Sequence, residues 1–357
     1  MTDISQYSKE LIVYGNRITE IGHGIAVGPP PEPIPVPPDP IPVPPAKGRA
    51  KFGWTWATPR TATSWGNPLT AAEATAVQGA ARSYASHVLG WGPDESLASL
   101  RSYWDWRKPD LMLLAKAPQF AKIPDGNPSK GDPYDEWGPS PSAWPQLYDL
   151  WATYVKEFKP KRVIPWSECR GSAPWGFWDN RPQTEGGNRW AVDHYCNFWN
   201  TGEAKLRAAS PGVLLGGPYV GMSSWGVTAN GTKGTLDNRD LAMISGFMDQ
   251  CKYDFIAVDG GIDLRPGYNL PGGTPEQHVE KMLDVYRWVR AKTDKPFVWV
   301  ETYMSGLVGT TVVKEHARAW PYLLDEADKI GGDSTWYAWG AQRDMPDIAT
   351  LNNLATR

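Results

Sequence analysis

Between residues 51 and 340 the chain repeats one pattern: a short apolar run rich in β-branched and aromatic residues, then a longer connection. The runs are "KFGWTWA" (51–57), "SHVLGWG" (86–92), "DLMLLAKA" (110–117), "RVIPWSE" (162–168), "GVLLGGPYV" (212–220), "YDFIAVDGG" (253–261), "PFVWVET" (296–302) and "STWYAWG" (334–340). Three of the connections carry clear helical spacing. "AWPQLYDLWATYVKEF" (143–158) puts Trp144, Leu147, Trp151, Tyr154 and Phe158 on one face. "EQHVEKMLDVYRWVRAK" (276–292) does the same with Val279, Met282, Leu283, Tyr286 and Val289, and "VVKEHARAWPYLLDEADKI" (312–330) repeats the theme. Eight short strands, most followed by a helix and apolar on both faces, predict an α/β fold of the (β/α)8 TIM barrel type. The alternative, a doubly wound sheet, normally has a Gly-rich turn after its first strand, and here that turn reads "WTWATPRTATSWG".

The repeat does not extend to the N-terminus. Residues 29–45 read "PPPEPIPVPPDPIPVPP", holding 11 of the chain's 34 prolines and the motif "PIPVPP" twice. With most amide donors missing, this stretch cannot enter a helix or a sheet. Polyproline II at about 3.1 Å per residue makes it a semi-rigid spacer of roughly 50 Å. Before it, "KELIVYGNRITEIGHGIAV" has two β-branched runs on either side of Tyr14-Gly15-Asn16, the pattern of a β-hairpin. About 28 residues cannot bury a core of their own. The expected organisation is a docking segment (1–28), a linker (29–47) and the barrel (48–357).

Composition narrows the partners. A net charge of −3 leaves no basic footprint for nucleic acid. No apolar run is long enough to span a membrane, and the first residues lack the apolar core of a secretory signal. Cys169, Cys196 and Cys251 have no metal-type spacing, "PEQH" and "KEH" form no metal site, and no motif calls for a cofactor. Twenty tryptophans are far above ordinary usage, enough to fill a core and still supply flat platforms for sugar rings.

Glu168 ends the fourth run, a place where a buried strand rarely leaves a carboxylate without purpose. Strand C-termini of a barrel converge on one mouth, and the seventh run ends in Glu301 at the matching position. Two carboxylates flanking a glycosidic bond are what sugar hydrolysis requires. Alternatively, each Glu caps a neighbouring helix or pairs with Arg170 or Arg343. Other residues of the mouth are Trp56 and Trp339, as stacking platforms or barrel packing, and Tyr219, as a hydrogen-bond donor or a core tyrosine. Asp259 is a sugar-hydroxyl ligand or a turn former. Tyr303 follows the second glutamate closely, Lys116 and His87 lie at other strand ends, and Trp178 lies on the strand-four loop. Trp54 and Trp336 share strands with the platform candidates. Long excursions at 118–143 and 169–189 fall on the same face.

The barrel resembles the retaining glycoside hydrolases that carry an acid/base Glu on strand four and a nucleophile Glu on strand seven. More narrowly, "PWSECRG…FWDN…GNRW…YCNFWN…PGVLLGGPYVGM" is similar to the glycosidase-like domain of minor tail proteins from actinobacterial bacteriophages. The resemblance spans roughly residues 50 to 350. It implies Glu168 as acid/base, Glu301 as nucleophile, and Ser167 at the position where the family usually has an Asn that binds the sugar 2-hydroxyl. It also implies a virion tail-tip location, host cell-envelope polysaccharide as substrate, and other tail-tip proteins as partners of residues 1–28. Ser167 in place of Asn is what an inactive, glycan-binding adhesin with the same cleft would carry.

Overall fold

The computed structural model describes residues 49–54, 85–88, 101, 104, 109–114, 141–166, 185–221, 238–261, 275–303, 310–338 and 353–354. The proposed N-terminal segment and proline linker lie outside these residues, as do most of the excursions after the third and fourth strands.

All eight predicted strands are present: β1 (Ala50–Trp54), β2 (Ala85–Val88), β3 (Leu111–Leu114), β4 (Arg162–Pro165), β5 (Leu214–Gly221), β6 (Phe255–Gly261), β7 (Phe297–Tyr303) and β8 (Ser334–Ala338). They form one parallel sheet in the order β1-β8-β7-β6-β5-β4-β3-β2. The first strand pairs with the last, Ala50 opposite Ser334 through Trp54 opposite Ala338. The seven strand pairs, from β2–β3 round to β8–β1, form a curled parallel sheet in the strand order of a (β/α)8 barrel, with the crossover helices outside.

Five α-helices are described: α1 (Trp144–Phe158), α2 (Glu185–Ala209), α3 (Asn238–Gln250), α4 (Pro275–Arg290) and α5 (Thr310–Ile330). Each follows one of the strands β3 to β7. The face predicted for α1 is buried throughout, as is that of α4. Helix α1 has no side-chain cap at its start, but Pro145 sits in its first turn, where a missing N–H costs nothing. At its end Lys159 takes the left-handed conformation (φ 48°) and its N–H closes on Val155 O at 3.0 Å. Helices α2 and α3 were not anticipated. Their spacing is interrupted by Gly186, Gly187, Gly202 and Gly246, and "GNRW" and "YCNFWN" proved to be helical, so the second excursion stops before Glu185.

Two-residue alternation along each strand divides the core into two layers. Leu111, Leu113, Ile164, Phe255, Ala257, Val298, Val300 and Tyr337 fill the barrel interior. Met112, Leu114, Val163, Val258, Phe297, Trp299 and Trp336 face the helices. In that outer layer Trp299 and Trp336 stack at 5.3 Å, with Tyr286 of α4 edge-on to Trp336 at 5.7 Å. Phe52 lies between Trp54 and Trp320 of α5, with centroids 5.0 and 4.9 Å away. Trp54 and Trp336 are therefore packing residues beneath the helices rather than part of the mouth.

Helices α1 and α2 meet over Gly202. A Cβ there would fall 2.0 Å from the ring of Tyr148, whose hydroxyl donates to Phe198 O at 3.0 Å. Helix propensity alone makes Gly→Ala favourable by about 1 kcal/mol. Overpacking a buried contact costs about 1–3 kcal/mol. Gly202→Ala is expected to lower stability by about 1–2 kcal/mol in urea unfolding, the opposite sign to the propensity effect.

Candidate functional site

All strands run parallel, so their C-terminal ends lie at one end of the barrel, and the regular strand geometry breaks there at three places. The first is Trp166, directly after β4. Its φ is 63°, a left-handed conformation that a bulky side chain rarely adopts. The ring is buried on the helix side, 6.4 Å from Trp151 and 6.0 Å from Phe198. Packing by α1 and α2 thus sets how the chain leaves β4. Ser167 and Glu168 follow at once and lie outside the described residues.

The second break is in β5. Pro218 pairs with Ala257 and Val220 pairs with Val258, leaving Tyr219 as an extra residue. Tyr219 has φ 52° and belongs to the interior cluster, where it is fully buried. The peptide between Gly217 and Pro218 is cis. Both preceding glycines are required by packing. A Cβ at Gly216 would lie 2.3 Å from the Phe255 ring, and one at Gly217 would lie 2.9 Å from the Tyr195 hydroxyl.

The third is in β7. Trp299 pairs with Val258 on one side and Trp336 on the other, and Thr302 pairs with Gly260 and Ala338. Two residues, Val300 and Glu301, therefore oppose one residue on each neighbouring strand: Asp259 on β6 and Tyr337 on β8. A β-bulge of this kind leaves one residue unpaired and disrupts the ladder locally. Val300 and Tyr337 are interior residues, so strict alternation would have put position 301 on the helix side. The bulge interrupts that alternation at the end of β7. The same register shift returns Thr302 to the helix side, where it is 2% exposed and its hydroxyl has no hydrogen-bond partner among the described residues. Such a group costs about 1–3 kcal/mol.

Beneath this row lies a polar floor. The Arg162 guanidinium donates to Asp110 Oδ2 at 2.6 Å, to the Tyr337 hydroxyl at 2.5 Å and to Thr335 Oγ1 at 3.3 Å. Tyr337 in turn donates to Asp110 Oδ1 at 3.1 Å. Burial works against the Arg162 charge, but the Tyr337 oxygen and Asp110 outweigh it and hold its pKa above the ordinary value. This network was not anticipated from sequence. Its available signal was a charged residue at the start of β4 beside an aspartate just before β3.

Of the candidate site residues, Tyr219 is interior, and Asp259 and Glu301 belong to the adjacent strands β6 and β7, where the register shifts. Tyr303 pairs with Gly261 at the end of β7. His87 pairs with Leu113 in the β2–β3 register. Ser167, Glu168, Trp56, Trp339, Lys116 and Trp178 lie outside the described residues. Among the described residues no group of His, Cys, Asp or Glu is arranged to hold a metal ion, and no helix is long and apolar enough to cross a membrane.

Solved structures with this arrangement are numerous, 161 chains in all. The endo-β-1,4-glucanase of Xanthomonas axonopodis pv. citri is 16% identical and matches 87% of this chain and 99% of its own at a TM-score of 0.50. A broad specificity endoglucanase from Clostridum cellulovorans is 11% identical over 86% of this chain and 94% of its own, at 0.52. A β-glucosidase mutant derived from a hyperthermophilic tetrameric structure is 10% identical over 87% and 95%, at 0.52. The chain has the fold of the (β/α)8 glycoside hydrolases. No protein-family model matches it, and no curated protein matches it in sequence.

The floor yields a direct test. Tyr337→Phe keeps the interior ring but removes the hydroxyl that joins Arg162 to Asp110. Hydrogen bonds to charged groups contribute about 1.5–3 kcal/mol. Loss of about 1–3 kcal/mol in chemical denaturation is expected, with the circular dichroism of the native state unchanged.

Proposed function

We propose that this chain is a bacteriophage tail-tip protein whose barrel is a retaining glycoside hydrolase acting on host cell-envelope polysaccharide. The observation that carries the reading is the β7 bulge at Val300–Glu301, a break in the sheet at the C-terminal end of the barrel. That is where enzymes of this architecture do their chemistry. The left-handed turn at Trp166 directly after β4, two residues before Glu168 in the sequence, supports a partner carboxylate across the same mouth. Backbone strain of this sort gathers at functional sites.

In the proposed mechanism Glu168 protonates the leaving glycosidic oxygen while the Glu301 carboxylate attacks the anomeric carbon. Glu168, now ionised, deprotonates the water that releases the sugar from Glu301. Retention calls for carboxyl groups about 5–5.5 Å apart. Ser167, Trp56, Tyr219, Asp259, Tyr303 and Trp339 complete the substrate site in this reading. Residues 1–28 dock onto other tail-tip proteins, and the proline linker carries the barrel outward from them.

Ser167 favours a second reading, a glycan-binding adhesin with the same cleft. A hydroxyl reaches less far than the Asn amide usual at that position, and contacts to the sugar 2-hydroxyl supply several kcal/mol in the transition state. Sugar release from purified envelope glycans decides between them. Glu168→Gln and Glu301→Gln are each expected to cut release by about 10²-fold or more while binding persists. Binding by all three proteins with no product from the wild type establishes the adhesin instead.

A further inference from the structure

Cysteines stand on both sides of the crossing between α2 and α3. Cys196 lies inside α2 and is fully buried, whereas Cys251 directly follows α3 and is half-buried. Asp193, Trp199 and Asn200 stand three or four residues from Cys196 and so share its face of α2. All three bond the residues on either side of Cys251. Asn200 Nδ2 donates to Gln250 O at 3.1 Å, and Gln250 Nε2 donates to Asp193 Oδ1 at 3.1 Å. Trp199 Nε1 donates to Lys252 O at 3.2 Å. Cys251 itself extends the last turn of α3, its N–H donating to Phe247 O at 3.0 Å.

The thiols meet inside this frame. Cys196 Sγ donates to Gly246 O at 3.6 Å, one turn before Cys251. The two helices come close at Gly246, where a Cβ would lie 2.1 Å from Val192. A hydrogen bond with the Cys196 thiol, then burial, holds the Cys251 thiol well above its ordinary pKa, and the Glu203 carboxylate acts in the same direction. Two thiols in contact at a helix crossing narrowed by a glycine have the proximity that a disulfide needs.

We propose that Cys196 and Cys251 are a modification site: a small disulfide oxidant converts them to a disulfide that staples α2 to α3. The half-buried Cys251 reacts first. Its thiolate attacks one sulfur of the oxidant, breaks that S–S bond and releases one thiol. The Cys196 thiolate then attacks the Cys251 sulfur and expels the second thiol. Both cysteine protons end on the released thiols, and the two electrons lost by the cysteine sulfurs pass to those of the oxidant. The raised pKa of Cys251 leaves little thiolate, so closure is slow. The bond closes a loop containing β5 and α3, and constraining such a loop in the unfolded chain favours the folded state. It persists in oxidising surroundings and is lost where cellular thiols keep cysteines reduced. The pairing rests on α2 and α3 alone and is independent of the function proposed above.

Oxidised glutathione is the probe. The full chain is incubated with an excess of it without denaturant, remaining thiols are alkylated, and the unreduced tryptic peptides are read by mass spectrometry. A peptide carrying Cys196 joined to one carrying Cys251 is expected, and dithiothreitol is expected to separate them. Closure is expected to raise the thermal unfolding midpoint by about 5 °C over the reduced chain. Cys251→Ser is expected to abolish that gain and Cys169→Ser to keep it, with native-like circular dichroism as the check on each variant. The proposal is overturned by a Cys196–Cys251 bond that forms only in urea, by glutathione left on Cys251 without closure, or by linkage through Cys169 instead. A midpoint that closure leaves unchanged or lowers also overturns it.

Discussion

The parallel sheet imposes a strict rule on its residues: successive positions face opposite sides, and both sides must be buried. Interior space takes Leu111, Leu113, Ile164 and Val298, while the helix side takes Met112, Leu114, Val163 and Trp299. A polar residue therefore has little room in the middle of a strand. It can sit at the start, as Arg162 does with Asp110, or at the end, where the strand geometry breaks. The irregularities at Trp166, Tyr219 and Val300–Glu301 all occur at the ends from which the loops of the mouth depart. Regular geometry in the body of the sheet makes these departures identifiable as local devices.

Large aromatics do most of the packing between sheet and helices. Trp151, Trp199, Trp299, Trp320 and Trp336 are fully buried in that layer, each edge-on to one of Tyr148, Phe247, Phe297, Phe52 and Tyr286 in turn. Much of the tryptophan surplus is thus explained by the outer core. A side chain of this size spans the gap between a strand and a crossing helix by itself, and glycines such as Gly202 and Gly246 let the helices come close. A Cβ on Gly246 would lie 2.1 Å from Val192 of α2.

The order and number of the strands were legible because each is a short apolar run bounded by turn residues, and the pattern repeats eight times. The helices with an unbroken apolar face, α1, α4 and α5, were legible for the same reason. Helices α2 and α3 were hidden because glycines and polar residues interrupt their pattern, while tertiary contacts supply what propensity lacks. For the site, sequence could mark Glu301 as a carboxylate at a strand end. It could not reveal the bulge, because an extra residue in "PFVWVETY" leaves composition unchanged and appears only as a mismatch with the strands on either side. Nor could it join Arg162 to Tyr337, since nothing local to either residue refers to the other.

That last pairing bears on how the chain comes to be folded. Tyr337 is 175 residues from Arg162 and 227 from Asp110. Contacts so distant in sequence form late, because the loop they close must lose its freedom before they return anything. During synthesis β3 and β4 emerge long before β8, leaving a buried-type arginine and aspartate to wait in water. The latch under the mouth is thus available only once β8 has been made. Assembly of this floor waits for the synthesis of β8, and a chain truncated before β8 lacks the hydroxyl that joins Arg162 to Asp110.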